Sequence, residues 1–229
     1  MEHSKHNPRL SILPFALLQL GICVGLQFGW IPAQDAWRFG IPILWPFLSL
    51  LSFRRPRERA QFKAHTGLIV IALAVTAIAE FLGQNYGLYG AHYHYIDGAW
   101  DSHLRPWIPL VVPMLWLAGI YPLTLCAGAL TASSGRRTLI VATGMLLWDL
   151  ILDPLSVRDG KWAWTSGHAL FGSVPVENFL AWWTGVAILH QCYEYARRRF
   201  KWALPSQASA IWMYVLLLIS TIAGRSVGN

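Results

Sequence analysis

Seven apolar runs, separated by short polar or basic segments, leave this chain few ways to fold. They lie approximately at residues 10–30, 36–53, 65–83, 107–130, 138–153, 175–195 and 207–224. Runs of this length match the hydrocarbon core of a bilayer, which an α-helix crosses in about 20 residues. In lipid every backbone polar group must be satisfied within the segment, so runs that are not barrel strands must be helices. The sequence therefore predicts an all-α, polytopic transmembrane bundle of about seven spans, forming a single integral membrane domain over residues 1–229. The second run is the shortest: 41–53 reaches spanning length only when 36–40 join it. Pro109, Pro113 and Pro122 in the fourth run predict kinks or a break, and Pro154 is expected to end the fifth.

Charge supports this reading. Only 13% of residues are charged, against about 25% in soluble domains. The net charge of +7 comes from clusters between apolar runs, the pattern of cytoplasmic loops and not of a nucleic-acid surface. With the N-terminus inside, 13 of the 18 basic residues fall on the inner side, including Arg54, Arg55, Arg57, Arg136, Arg137 and the RRRFK segment 197–201. The positive-inside rule thus gives an N-in, C-out topology. No cleavable signal peptide is expected, because no A-x-A site follows the first run. Cys23, Cys126 and Cys192 are scattered, which argues against a metal site or a disulfide framework.

Within the fifth run, Asp149 and Asp153 stand four residues apart, on one face of a helix. A carboxylate at the centre of a bilayer costs about 2.5–3.5 kcal/mol on insertion scales. The predicted topology sets both near the outer end of their span, level with Glu80 and Glu177 on two other helices. Acids near span ends can be structural, pairing with Arg105, Arg158 or Lys161. Four at one depth are better read as a site. A low dielectric and neighbouring carboxyls keep such a group protonated, so it becomes a general acid beside an electrostatic stabiliser of positive charge.

Other chemistries lack their residues. The eight histidines show no helical series for a di-iron centre, and the last run has no lysine for a retinal. There is no G-x-S-x-G elbow, P-loop or G-x-G-x-x-G. D149-x-x-x-D153 lacks the second Asp-rich motif of a prenyltransferase. The expectation is a site with no metal and no cofactor.

The segments WDLILDPLSVRDGKWAW (148–164), FGSVPVENFLAWW (171–183), AEFLGQNYGLYGAHYHY (79–95) and VPMLWLAGIYP (112–122) resemble, in order, the carotenoid-biosynthesis membrane proteins that include carotenoid 1,2-hydratases and bisanhydrobacterioruberin hydratase. Asp153, Pro154, Gly160, Trp162 and Trp164 match one motif of that family, and Phe171, Gly172, Pro175, Asn178, Phe179 and Trp182 match another. Ser173 is an insertion, and Ala181 stands where the family usually has glycine. Glu177 departs further: Pro175-Val176-Glu177 is similar to the P-x-E motif of small-subunit lycopene cyclases, with Asn178 in place of their second acid.

The resemblance implies protonation of a terminal alkene of a linear carotenoid in the membrane of a bacterial cell. Water then captures the cation in a hydratase, or an internal alkene captures it in a cyclase. It implies Asp153 or Asp149 as donor, with Glu80 and Glu177 as stabiliser, base or water-positioning groups. Tyr93, Tyr95, Trp148, Trp162, Trp164, Asn178 and Trp182 are the implied substrate-lining residues. The expected partners are the carotenoid and membrane lipid. Homo- or hetero-oligomers with other carotenoid enzymes stay open, as does a non-catalytic carotenoid-binding or partner-subunit role.

Overall fold

The computed structural model describes residues 12–28, 30, 35–51, 53, 58–87, 89–96 and 108–223. Seven helices form among them: α1 (Ile12–Gln27), α2 (Asp35–Leu50), α3 (Arg59–Tyr86), α4 (Ile108–Leu130), α5 (Ser134–Arg158), α6 (Val176–Arg199) and α7 (Ile211–Ile222). The loop segment 97–107, with Asp97, Asp101, His103 and Arg105, lies outside the described residues, as do the N-terminal tail, Arg54, Arg55 and Arg57.

Each apolar run became a helix, with three corrections at the boundaries. The prolines do not interrupt α4, which runs unbroken through Pro113 and Pro122. Pro154 does not end α5, which continues to Arg158. A proline removes one backbone hydrogen bond, and in a packed membrane helix neighbouring groups compensate for it. The basic RRRFK segment is not a loop, because Arg197, Arg198 and Arg199 form the last turn of α6.

Three helices among the described residues are long and apolar enough to cross a membrane: Arg59–Tyr86, Leu110–Leu130 and Ser134–Arg158. Three shorter apolar helices accompany them, Pro14–Gln27, Phe39–Leu50 and Ala208–Ile222. α6 falls outside both sets, since Glu177, Asn178, His190 and Gln191 dilute its run. Of these, Asn178 and His190 are buried, as is Glu194 further along the helix.

The core sits between α2, α3, α4, α5, α6 and α7, around Trp45, Leu68, Leu117, Tyr121, Met145, Leu189 and Leu217. α4 and α5 approach closely where Gly119 has no side chain, because a Cβ there would meet Met145 Sδ at 2.5 Å. Small residues at such crossings are the usual means of close helix packing without water.

One end of the bundle is basic. Arg137, expected in an exposed turn, is 1% exposed. Its Nε and Nη2 donate to the two oxygens of Glu194 at 2.9 and 2.7 Å, and its Nη1 donates to the Thr131 and Ala132 carbonyls. Arg197 also donates to Glu194. A buried charge is tolerable only when paired this fully.

The other end carries a small β cap, which an all-helical reading did not include. β1 (Tyr93–Tyr95) pairs antiparallel with β2 (Trp162–Trp164), in register Tyr93↔Trp164 and Tyr95↔Trp162. β3 (Ala169–Phe171) pairs with β4 (Val174–Pro175). The two long loops between spans are thus stitched to each other, with Thr165 N donating to His92 O at 2.8 Å.

Candidate functional site

Successive residues of a strand point to opposite faces. The alternation Tyr-His-Tyr in β1 and Trp-Ala-Trp in β2 therefore places Tyr93, Tyr95, Trp162 and Trp164 on one face of the cap. All four are half-buried, whereas His94 is exposed. They roof a cavity with about 730 Å³ of empty space, part of it open to the outside. Its walls are Ala79 and Glu80 of α3, Val112, Leu115 and Trp116 of α4, Leu152 and Asp153 of α5, and Asn178, Ala181, Trp182 and Gly185 of α6.

Two polar groups face this apolar space. On one wall, Asn178 Nδ2 donates to Asp149 Oδ2 at 2.9 Å and to Asp153 Oδ2 at 2.6 Å. One amide from α6 thus bridges the two carboxyls that the α5 helical pitch stacks on one face. Asp149 is 0% exposed and Asp153 3%. Only Asp153 lines the cavity, and Asp149 sits behind it with Oδ1 lacking a hydrogen-bond partner among the described residues.

The second polar group is Glu80. Its Oε1 accepts from Tyr93 Oη at 3.0 Å, from Tyr95 Oη, and from Gln84 Nε2 at 2.6 Å. Burial, and next the negative charge of Glu80, hold both phenols well above the usual tyrosine range. They remain donors at every physiological pH. Asp153 lies within electrostatic reach of Glu80.

The aromatic wall is ordered by ring contacts. Trp116 stacks on Trp182 with centroids 4.0 Å apart and planes 22° apart. Trp148 meets Trp182 edge-on at 6.0 Å and is pinned by Nε1 donating to Thr221 Oγ1 at 2.8 Å. Tyr93 lies against Trp164 at 5.1 Å, and Tyr95 against Trp162 at 6.1 Å.

The structure brings together Asp149, Asp153, Glu80, Asn178, Tyr93, Tyr95, Trp162, Trp164 and Trp182. It places two expected residues elsewhere. Trp148 is fully buried behind Trp182 and does not line the cavity. Glu177 is not among the lining residues either. It begins α6 at the rim, where its carboxylate accepts from the His168 backbone N at 3.0 Å and bonds His168 Nδ1. Consecutive residues of a helix point about 100° apart, so Asn178 faces inward where Glu177 cannot. Trp116 was not singled out as a site residue. Its only sequence signal was membership of the VPMLW segment.

Residues 40–227 match a protein family described as "Carotenoid biosynthesis protein". No curated protein and no solved structure matches the chain.

Proposed function

The chain belongs to the family of carotenoid biosynthesis proteins, and from that premise we propose that it is a membrane enzyme that hydrates a terminal alkene of a linear carotenoid. The observation that carries this reading is one aromatic-lined cavity with the Asp149–Asn178–Asp153 cluster on one wall and Glu80, held by two tyrosines, on another. Such a cavity offers an acid and a base to the same apolar substrate.

In this reading the aspartate pair carries one proton. Two unneutralised carboxylates this deeply buried would cost several kcal/mol, and one Asn178 amide cannot offset that alone. Asp153, the member in the wall, delivers the proton. The alkene π electrons form the new C–H bond at the less substituted carbon, leaving a tertiary cation. A water oxygen then forms the C–O bond, and the proton it loses passes to Glu80. Return of that proton to the aspartate pair closes the cycle. Each step uses only water and side chains of this chain.

Ring closure shares the protonation step and differs in what captures the cation. Glu177 was the residue that favoured it, and its position at the rim, paired with His168, weakens that argument. A polyene dissolves in the bilayer, and we propose lateral access from lipid to a bundle of seven spans with the β cap on the outer side of a bacterial cell membrane.

The test is expression in a lycopene-accumulating host, with products analysed after growth in oxygen-18 water. A tertiary alcohol carrying the label is expected. A cyclised product without added oxygen would replace hydration by cyclisation, and unmodified pigment co-purifying with the protein would replace catalysis by binding.

A further inference from the structure

We propose that Trp116 is a catalytic residue whose indole face stabilises the carbocation, and that Gly185 keeps that face open to the substrate end. This assignment rests on the protonation chemistry above and adds a residue to it.

A tertiary cation in a cavity with an aspartate pair on one wall and Glu80 on another needs stabilisation by a group that does not capture it. A carboxylate at bonding distance would close an ester or pull a proton back to regenerate the alkene. An aromatic face attracts the cation through its quadrupole and offers no lone pair, and tryptophan is the strongest of the aromatic side chains in this role.

The tryptophans are not equivalent. Trp182 is 7% exposed, with Trp116 stacked on it and the Trp148 edge against it. Trp162 and Trp164 belong to the cap and hold the tyrosines that serve Glu80. Trp116 is half-buried and lines the cavity. One of its faces rests on Trp182, and the ring borders the cavity. The Trp148 bond to Thr221 on α7 anchors the stack, so the ring needs no reorganisation when charge appears.

Gly185 completes the geometry. A Cβ built on it would lie 3.9 Å from Trp116 Cη2, ordinary van der Waals contact. Alanine therefore fits, whereas the methyl groups of leucine would occupy the space beside the ring. Ala181, one turn earlier, also lines the cavity and is small.

The experiment uses full-length protein in nanodiscs with an acyclic polyene bearing a terminal isopropylidene. Binding is read from the polyene absorption shift, and turnover from product. Trp116→Leu is expected to lower kcat about 30-fold with KM little changed, the equivalent of about 2 kcal/mol for a desolvated cation–π contact. Gly185→Leu should raise KM with the loss confined to binding. Fluorinated tryptophan at position 116 keeps the shape, and kcat should fall with each added fluorine. Trp116→Leu with parental kcat, or a flat fluorine series, overturns the assignment. A parent protein that binds the polyene without converting it overturns the protonation chemistry itself, and this role with it.

Discussion

In the proposed mechanism, replacing Asp153 with asparagine removes the transferable proton and little else. The new side chain keeps the shape of the old one. Its carbonyl oxygen can still accept from Asn178 Nδ2, which now donates to Asp153 Oδ2 at 2.6 Å. The contact between α5 and α6 should therefore survive. General acid catalysis contributes about 10²–10⁴ in rate, or about 2.7–5.4 kcal/mol of barrier. Asp149 lies behind Asp153 and does not reach the cavity, so Asp149→Asn should cost less. It weakens one hydrogen-bonded charge contact of about 1.5–3 kcal/mol, roughly 10- to 160-fold in rate. The double variant should be little worse than Asp153→Asn, because the pair acts as a unit. The assay is the initial rate of product formation in proteoliposomes at equal protein, with the detergent unfolding midpoint as control. Asp153→Asn retaining more than a tenth of the activity would refute the assignment, as would Asp149→Asn being the more damaging of the two.

Three further outcomes are expected. Glu194→Ala leaves Arg137 buried without its carboxylate, which should destabilise the bundle by about 3–5 kcal/mol; unfolding in mixed micelles measures it, and a loss below about 1 kcal/mol would show that water reaches the pair. The hydrogen bond to Glu177, with its charge second, holds His168 above its ordinary value of 6.5. A raised folded value means that the contact stabilises fully below pH 6.5 and is lost as pH rises through the raised value. Histidine NMR should show this upward shift, and Glu177→Gln should abolish it; an unshifted His168 in the parent contradicts the pairing. Gly172 has φ +57°, and a Cβ there would lie 2.6 Å from Pro154 Cβ. Gly172→Ala should therefore cost about 1–2 kcal/mol in backbone strain and displace Pro154 beside Asp153, lowering turnover more than stability; parental turnover would show that the hairpin does not hold the acid.

Much of the scaffold was legible because it depends on local periodicity. Apolar runs dictate helices wherever water is absent. The helical pitch puts Asp149 and Asp153 on one face, whereas the strands of the cap, which put two tyrosines and two tryptophans on another, were not legible because each pairs with a partner about 70 residues away. Boundaries were less legible. Pro154 and the arginines of α6 read as terminators by local rules, yet packing carried both helices past them.

The chain's own order of residues thus determined a membrane-embedded helical bundle, its acids, and its kinship with carotenoid biosynthesis proteins. What each acid faces was a tertiary outcome. Depth along a helix follows from residue number, but orientation about the axis follows from which neighbours pack there. Glu177 and Asn178 are adjacent in sequence, yet only Asn178 turns inward to bridge the aspartates. Arg137 found Glu194 across 57 residues, and Trp116 reached the cavity because α4 packs where α6 presents Trp182 and Gly185. Contacts between distant segments depend on the global packing solution, which no single stretch encodes.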